Sequence, residues 1–150
     1  MIGVCFLFDV LSRGDGIVTG GATGVDYFTM DEAMLIDPSC SFLKVIIPAD
    51  IESYIDDYRA NWCQLPITMD GINNLALLLR KIKRTNASHL IEMPYNTINQ
   101  EHYNLRGAEE VRLSDEVYAF HVNSSPGTQD TISRAISAGI KISLHKEYKI

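Results

Sequence analysis

Residues 19–26, with the sequence TGGATGVD, are the first stretch of the chain whose residue types could do chemistry. They follow the β-branched pair Ile17 and Val18 and precede apolar residues at helical spacing, so they join a strand to a helix. Glycine lets the backbone approach a ligand closely without a Cβ in the way, and a helix N-terminus attracts an anion such as phosphate. The segment is therefore either a tight connection or an anion site. The residues that would line the site are Gly20, Gly21, Ala22, Thr23 and Gly24. The apolar residues on one side of the helix that follows are Val25, Phe28, Leu35 and Ile36.

A second stretch repeats this organisation near the end of the chain. Residues 116–122 are typical of a strand, and a loop of small residues follows them. The spacing of Ile132 and Ala135 then indicates a short helix that ends at Gly139, a natural C-cap. In a parallel sheet both loops lie at the carboxyl edge, so their two helix N-termini can converge on one ligand. The second loop adds to the predicted ligand site the residues Ser124, Ser125, Gly127 and Thr128.

Two short segments resemble the motifs of a known superfamily. Residues 18–26, VTGGATGVD, are similar to the SGGARGVD motif of the Smf/DprA and LOG (lysine-decarboxylase-like) Rossmannoid superfamily. Residues 125–128 resemble its second motif, a Gly-Thr loop after a strand, and Arg106 stands where the family tends to carry an arginine. The resemblance implies a Rossmann-like fold that binds nucleotides or nucleotide-derived ligands. We predict that Arg106 reaches into the site and contacts phosphate. Some members of the superfamily cleave N-glycosidic bonds, some bind DNA and some carry molybdenum cofactor.

The chain departs from that superfamily at two points. The usual first strand, with its Gly-Ser-Arg phosphate loop, has no counterpart here. The phosphoribohydrolase members carry the motif P-G-G-x-G-T-x-x-E, and its glutamate position falls on Thr131. An N-glycosidic hydrolase or transferase would therefore need another carboxylate as its acid or nucleophile. The candidates near the predicted ligand edge are Asp26, Glu101, Glu109 and Asp130, and the catalytic residue would be Asp26 or Asp130. Asp26 also has a structural interpretation, because a carboxylate in the first helical turn is stabilised by the helix dipole and by free N–H groups.

Composition indicates one globular domain over residues 1–150, since 46% hydrophobic and 21% charged residues are ordinary values. The net charge of −6 disfavours a broad nucleic-acid surface, which needs clustered lysine and arginine. The three cysteines are widely spaced without a C-x-x-C pair, which favours reduced thiols in the cytoplasm. The sequence has no apolar run near the ~20 residues of a membrane span and no secretory signal. No metal site is predicted, because the histidines have no ligand spacing; they are His89, His102, His121 and His145.

Apolar strands alternate with amphipathic helices, which predicts a Rossmann-like three-layer α/β sandwich with a mainly parallel sheet. The predicted strands are 16–19, 43–48, 116–122 and 141–144, with a further short strand at 89–94. Residues 2–11 fit a helix or a buried strand, and the resemblance favours the helix. The segment 62–97 exceeds what the superfamily usually places there, and its residues 72–82 form the clearest amphipathic helix. This segment either covers a sheet edge or serves as an oligomer contact or lid.

Three functions remain open at this point. The first is binding of a phosphorylated nucleotide or nucleotide derivative, by a sensor or carrier without strong chemistry of its own. The second is N-glycosidic hydrolysis or transfer, and the third is a DNA-processing or interaction scaffold. A homo-oligomer, dimer or tetramer, is also expected, because a sheet that lacks its first strand leaves an edge and an uncovered apolar face.

Overall fold

The computed structural model describes the backbone of residues 2–149 and the side chains of residues 7–149. Its helices are α1 (Ile2–Ser12), α2 (Val25–Ile36), α3 (Ile51–Asp57), α4 (Met69–Thr85), α5 (Gln100–Arg112) and α6 (Pro126–Ser137). Its strands are β1 (Ile17–Thr19), β2 (Leu43–Ile47), β3 (Leu90–Glu92), β4 (Glu116–Val122) and β5 (Lys141–Tyr148). A π-helical turn, Tyr58–Trp62, continues α3, and a 3₁₀ turn, Ala87–His89, precedes β3. None of the described helices is both long and apolar enough to cross a bilayer.

The chain forms two compact units, one up to Ile98 and one from Asn99 onward. The first unit contains a three-stranded sheet in the order β1-β2-β3, and the second contains the pair β4-β5. All of these pairings are parallel, so the prediction of an α/β fold with parallel strands is confirmed and agrees with a Rossmann-like chain. The grouping of residues 1–150 into one domain stays a prediction.

Strand β2 is the centre of the first unit. It pairs with β1 from Ile17↔Leu43 onward and with β3 through Ile47↔Glu92. Its last three residues, Val45–Ile47, are fully buried. This burial explains why the strand is a nearly continuous apolar run, as central parallel strands are.

Helix α4 supplies much of the same core and extends the predicted helix 72–82 at both ends. Thr68 caps it by accepting a hydrogen bond from the Gly71 N–H, and Lys83 and Arg84 lie in its last turn, where cations favour the dipole. The buried residues of α4 are Ile72, Leu75, Ala76, Leu78, Leu79 and Ile82. The segment 62–97 thus provides a core helix and, in β3, a sheet strand for the first unit.

The structure decides between the two predictions for residues 2–11 and corrects the predicted buried side of α2. Residues 2–11 are helical, as the resemblance favours, rather than a strand. In α2 the buried residues are Met30, Ala33 and Met34. The apolar side predicted from the spacing is instead exposed, at 66% for Phe28 and 67% for Leu35.

The second unit is a strand–helix–strand unit with a further helix. Strand β4 has the predicted bounds, whereas β5 extends to Tyr148, beyond the predicted end at residue 144. Helix α6 ends at Ser137, and Gly139 (φ 72°) follows its C-cap; the Ile140 N–H donates to the Ala135 carbonyl at 2.8 Å, a Schellman closure. Helices α5 and α6 pack closely, since a Cβ at Gly107 would lie 3.3 Å from Thr131 Oγ1.

Gly21 is a position in the first unit where a side chain would not fit. Its φ is +65°, and a Cβ there would lie 2.8 Å from both Val45 Cγ1 and Ile47 Cγ2. We expect Gly21→Ala to lower the free energy of unfolding by about 2–5 kcal/mol, through backbone strain and overpacking together. Urea denaturation of the two proteins measures this difference.

Gly14→Ala is the matched control, because Gly14 has φ +81° but a Cβ there would meet nothing within 4 Å. Only the cost of the backbone conformation applies there, about 1–2 kcal/mol. Equal losses in the two variants would contradict the close contact of Gly21 with β2.

Candidate functional site

The glycine segment, residues 20–24, joins the end of β1 to the start of α2, as predicted. Gly20 and Gly21 are buried, and the contacts of a Cβ at Gly21 show that the backbone lies directly on Val45 and Ile47 of β2. The segment therefore crosses the carboxyl half of the central parallel strand. Ligands of open α/β sheets bind at that edge.

Two tyrosines hold the glycine segment from one side. The hydroxyl of Tyr54, which is fully buried, donates to the Gly21 carbonyl at 3.2 Å. The Thr23 N–H donates to the Tyr58 hydroxyl at 3.4 Å, and the two rings pack edge to face at 5.2 Å. Sequence reasoning missed both residues. Their i, i+4 spacing was the available signal, since it places both rings on one face of α3 and its π-helical extension.

Asp26 binds the backbone of the glycine segment through its side chain. It lies in the first turn of α2, and its Oδ2 accepts a hydrogen bond from the Ala22 N–H at 3.1 Å. The carboxylate therefore occupies one of the backbone donors that an anion would use. This bond favours the structural interpretation of Asp26 over a catalytic one.

Gly24 is the open end of the segment. It is the N-cap of α2 with φ 79°, and no side chain among the described residues caps this helix. Gly24 is exposed, and a Cβ there would meet nothing within 4 Å. The first-turn N–H groups of a helix lack intrahelical partners, so this end can accept an anion.

The second predicted loop joins β4 to α6, again as the sequence indicates. Asn123 and Ser124 both adopt positive φ, 50° and 55°, and turn the chain sharply. Ser125 is the N-cap of α6 without a side-chain cap bond, while Gly127 and Thr128 lie in the first helical turn. The four predicted residues of this loop are thus adjacent to one another at a helix N-terminus.

Arg106 lies on α5 and is engaged within its own helix. Its Nε is 3.1 Å from Glu110 Oε1, and its guanidinium carbon lies 5.5 Å from the centroid of the Tyr103 ring. Arg106 belongs to the second unit with Ser124, whereas the glycine segment belongs to the first. The shared cleft of the two loops stays a prediction.

The remaining candidate carboxylates either pair with an arginine of their own helix or are exposed. Asp130 accepts from Arg134 Nε at 2.6 Å, one helical turn away, and Glu101 is exposed in the first turn of α5. A hydrogen bond from Arg112 holds the pKa of Glu109 below its ordinary value, so Glu109 is ionised at neutral pH. An ionised carboxylate cannot be the general acid of glycosidic cleavage.

Thr131, at the superfamily's glutamate position, donates its hydroxyl to the Gly127 carbonyl at 3.1 Å. Its side chain also faces Gly107, across the contact between α5 and α6. This position is therefore used for helix structure and packing, and it supplies no carboxylate chemistry.

Two of the histidines come together in the fold, with Glu147. One potential metal-ligating atom from each of His121, His145 and Glu147 lies within 4.8 Å of the others. The sequence patterns did not bring these three residues together, because a helix separates β4 from β5 in the chain. The alternation of His145 and Glu147 along one strand was the available signal.

The hydrogen bond of Asp26 can be tested by its removal. We expect Asp26→Ala to lower the free energy of unfolding by about 1–2 kcal/mol, since it removes both the acceptor for Ala22 N–H and a favourable dipole interaction. Asp26→Asn keeps an acceptor oxygen, so its free energy of unfolding should fall less than that of Asp26→Ala. Urea denaturation measures both variants.

Asp31→Ala, on the same helix, is the control and changes the stability by less than about 0.5 kcal/mol. If Asp26→Ala proves as harmless as this control, the carboxylate does not hold the Ala22 N–H.

Comparison with known proteins gives no match for this chain. No family model matches it, and no curated protein or solved structure does either. Membership of the Smf/DprA–LOG superfamily therefore stays an expectation from the two motifs.

Proposed function

We propose that this protein binds a phosphorylated nucleotide or nucleotide-derived ligand through the glycine segment, residues 20–24. One observation carries the proposal. The segment lies on the carboxyl half of the central parallel strand and ends at Gly24, an exposed N-cap without a side-chain cap. Backbone N–H groups and the helix dipole together favour a phosphate at such a position.

The contacts of the segment restrict where the phosphate would bind. The Ala22 and Thr23 N–H groups already donate, to Asp26 and to Tyr58. The N–H groups of the first turn of α2, beside Gly24, have no intrahelical acceptor and can bind a ligand. We therefore propose that the phosphate binds at the Gly24 end of the segment.

Within the second unit, the second loop and Arg106 are proposed as a separate position for an anion such as phosphate. The hydroxyls of Ser125 and Thr128 are positioned at the start of α6, where an anion is again favoured. Arg106 would exchange its ion pair with Glu110 for a bidentate contact to phosphate.

An N-glycosidic reaction has less support than binding alone. Asp130 is paired with Arg134, Glu109 with Arg112, and Thr131 with the backbone of its own helix. Asp26 is engaged by the glycine segment. A sensor or carrier of a nucleotide-derived ligand is the function these contacts favour.

The binding experiment begins with mass spectrometry of small molecules that accompany the natively purified protein. Isothermal titration then uses the compound found, together with AMP, GMP, CMP and UMP as a panel. We expect Gly24→Asp to weaken binding of a phosphorylated ligand at least about tenfold relative to Gly24→Asn, because a carboxylate beside the phosphate repels it. The difference should shrink as salt is added.

Gly24→Asn is the matched control, since it has nearly the same shape and the same backbone strain but no charge. Equal affinities of the two variants would place the phosphate away from Gly24. Absence of any nucleotide from the purified protein, and of binding to the whole panel, would contradict the proposed function.

We also propose that the protein forms a homo-oligomer through the exposed face of α2. The apolar residues of this face lie on one side of the helix and are Val25, Phe28, Leu35 and Ile36. Exposed contiguous apolar surface of this kind marks an interaction site. A second copy of the chain is the proposed occupant.

Light scattering tests this oligomer. We expect a dimer or tetramer for the unchanged protein and a monomer for the double variant Phe28→Ser with Leu35→Ser. Ile136→Ser, at an equally exposed apolar residue of α6, should leave the mass unchanged. A monomer mass for the unchanged protein would contradict the proposal.

The cytoplasm is the proposed location. Cys40 and Cys63 are free thiols, which the reducing cytosol preserves. Burial, with a smaller effect from nearby Asp37, raises the pKa of the Cys40 thiol, so it stays protonated and unreactive. Cell fractionation checks the location, and recovery outside the cytoplasmic fraction would contradict it.

A further inference from the structure

We infer that His121, His145 and Glu147 form a binding site for a divalent transition metal of the Zn²⁺ class, on the face of the β4–β5 pair. This inference does not depend on the proposed nucleotide site. All three residues belong to the second unit, and their positions follow from the pairing of two parallel strands.

The strand register brings the three side chains to one place. His121 is paired with Glu147 across the strands, and His145 is paired with Ala119, two residues earlier on β4. Residues two apart on a strand point to the same face, so all three side chains lie on one side. The rings of His121 and His145 stack at 5.7 Å, and His145 Nε2 lies 3.8 Å from Glu147 Oε1.

The hydrogen bonding of His121 provides a second, independent observation. His121 is only 6% exposed, and its Nε2 lies 2.9 Å from the Ser125 carbonyl oxygen. A carbonyl only accepts, so Nε2 is the donor, and in the neutral ring the lone pair is then on Nδ1. Nδ1 is buried and has no hydrogen-bond partner among the described residues.

A buried acceptor without a partner is costly, and a metal ion would satisfy it. Metal-ligating histidines typically donate their other ring N–H to a carbonyl or carboxylate, which fixes the tautomer and the ring orientation. The bond from His121 to Ser125 already has this form. This bond leaves Nδ1 as the ring nitrogen that can bind a metal ion.

The donor set selects the class of metal. Two imidazoles and one carboxylate suit Zn²⁺ and related transition metals, whereas Mg²⁺ and Ca²⁺ prefer oxygen ligands alone. Ligand atoms around tetrahedral Zn²⁺ lie about 3.3 Å apart. The ligand atoms of this cluster, which lie within 4.8 Å of one another, must therefore move closer together. His145 and Glu147 are exposed and can make this movement, and water completes the coordination.

Bound metal would link β4 to β5 directly. An isolated two-stranded sheet is only marginally stable in water, so a link between its strands stabilises this part of the protein. The same ion would also hold the start of the β4–α6 loop, because His121 is bonded to Ser125.

Calorimetric titration of the chelator-treated full chain with ZnCl₂ tests the site. We expect one Zn²⁺ per chain and a higher melting temperature in its presence. His145→Ala and Glu147→Gln should each weaken Zn²⁺ binding by at least about tenfold. Removal of a residue that only hydrogen-bonds to a metal ligand already costs about tenfold or more in affinity, and removal of the ligand itself should cost at least as much. Both positions are exposed, so neither variant depends on refilling a core.

Lys146→Gln is the matched control, because residue 146 lies between the two ligands and points to the opposite face of β5. It should bind Zn²⁺ as the unchanged protein does. Replacement of Zn²⁺ by Co²⁺ should give the visible absorption of tetrahedral nitrogen and oxygen coordination, and His145→Ala should lose it.

Two results would overturn the inference. One is the absence of Zn²⁺ binding tighter than about 1 mM by the unchanged protein. The other is undiminished Zn²⁺ affinity in the double variant His145→Ala with Glu147→Gln, which would show that the ion binds at other residues.

Discussion

The contact between Gly21 and the central strand is the constraint on which the first unit depends. The space that a Cβ would need is already taken by Val45 and Ile47, which are fully buried in β2. Side chains in a close-packed interior cannot retreat without disturbing their own neighbours, so the backbone at Gly21 must follow this course. That course sets where α2 starts and places the Gly21 carbonyl within reach of the Tyr54 hydroxyl.

The glycine segment is held by side chains from two elements, and this has a benefit and a cost for binding. Tyr58 from the π-helical turn and Asp26 from α2 each engage one backbone N–H of the segment. A segment held in one conformation loses little further entropy when a ligand binds. The same bonds use two of the backbone N–H donors, those of Ala22 and Thr23, which are then not available to a ligand.

In the second unit, a single histidine connects the strand pair to the loop that follows it. His121 is buried on β4, its Nε2 donates to the Ser125 carbonyl, and its ring stacks on His145 of β5. A buried polar side chain normally has partners for all its polar atoms. Among the residues that the structure describes, His121 has no partner at Nδ1, and departures of this kind often occur where a protein binds something.

The sequence alone determined the elements whose signals are local. Three kinds of element were found where their patterns predicted them: the apolar strand β2, the amphipathic helix α4, and the loops that follow β1 and β4. Each of these patterns depends only on residues that are close together in the chain. Local signals suffice there because strand alternation, helical periodicity and turn chemistry act over a few residues. The α/β class with parallel strands followed from the order of these elements.

Only the tertiary structure decided which faces meet. The spacing in α2 identified an apolar side, yet the core takes Met30, Ala33 and Met34, because burial depends on the elements packed against the helix. Tyr58 reaches Thr23, and His121 faces Glu147, through contacts between residues distant in the chain. Such contacts depend on strand register and helix packing, and no pattern within a single segment contains either.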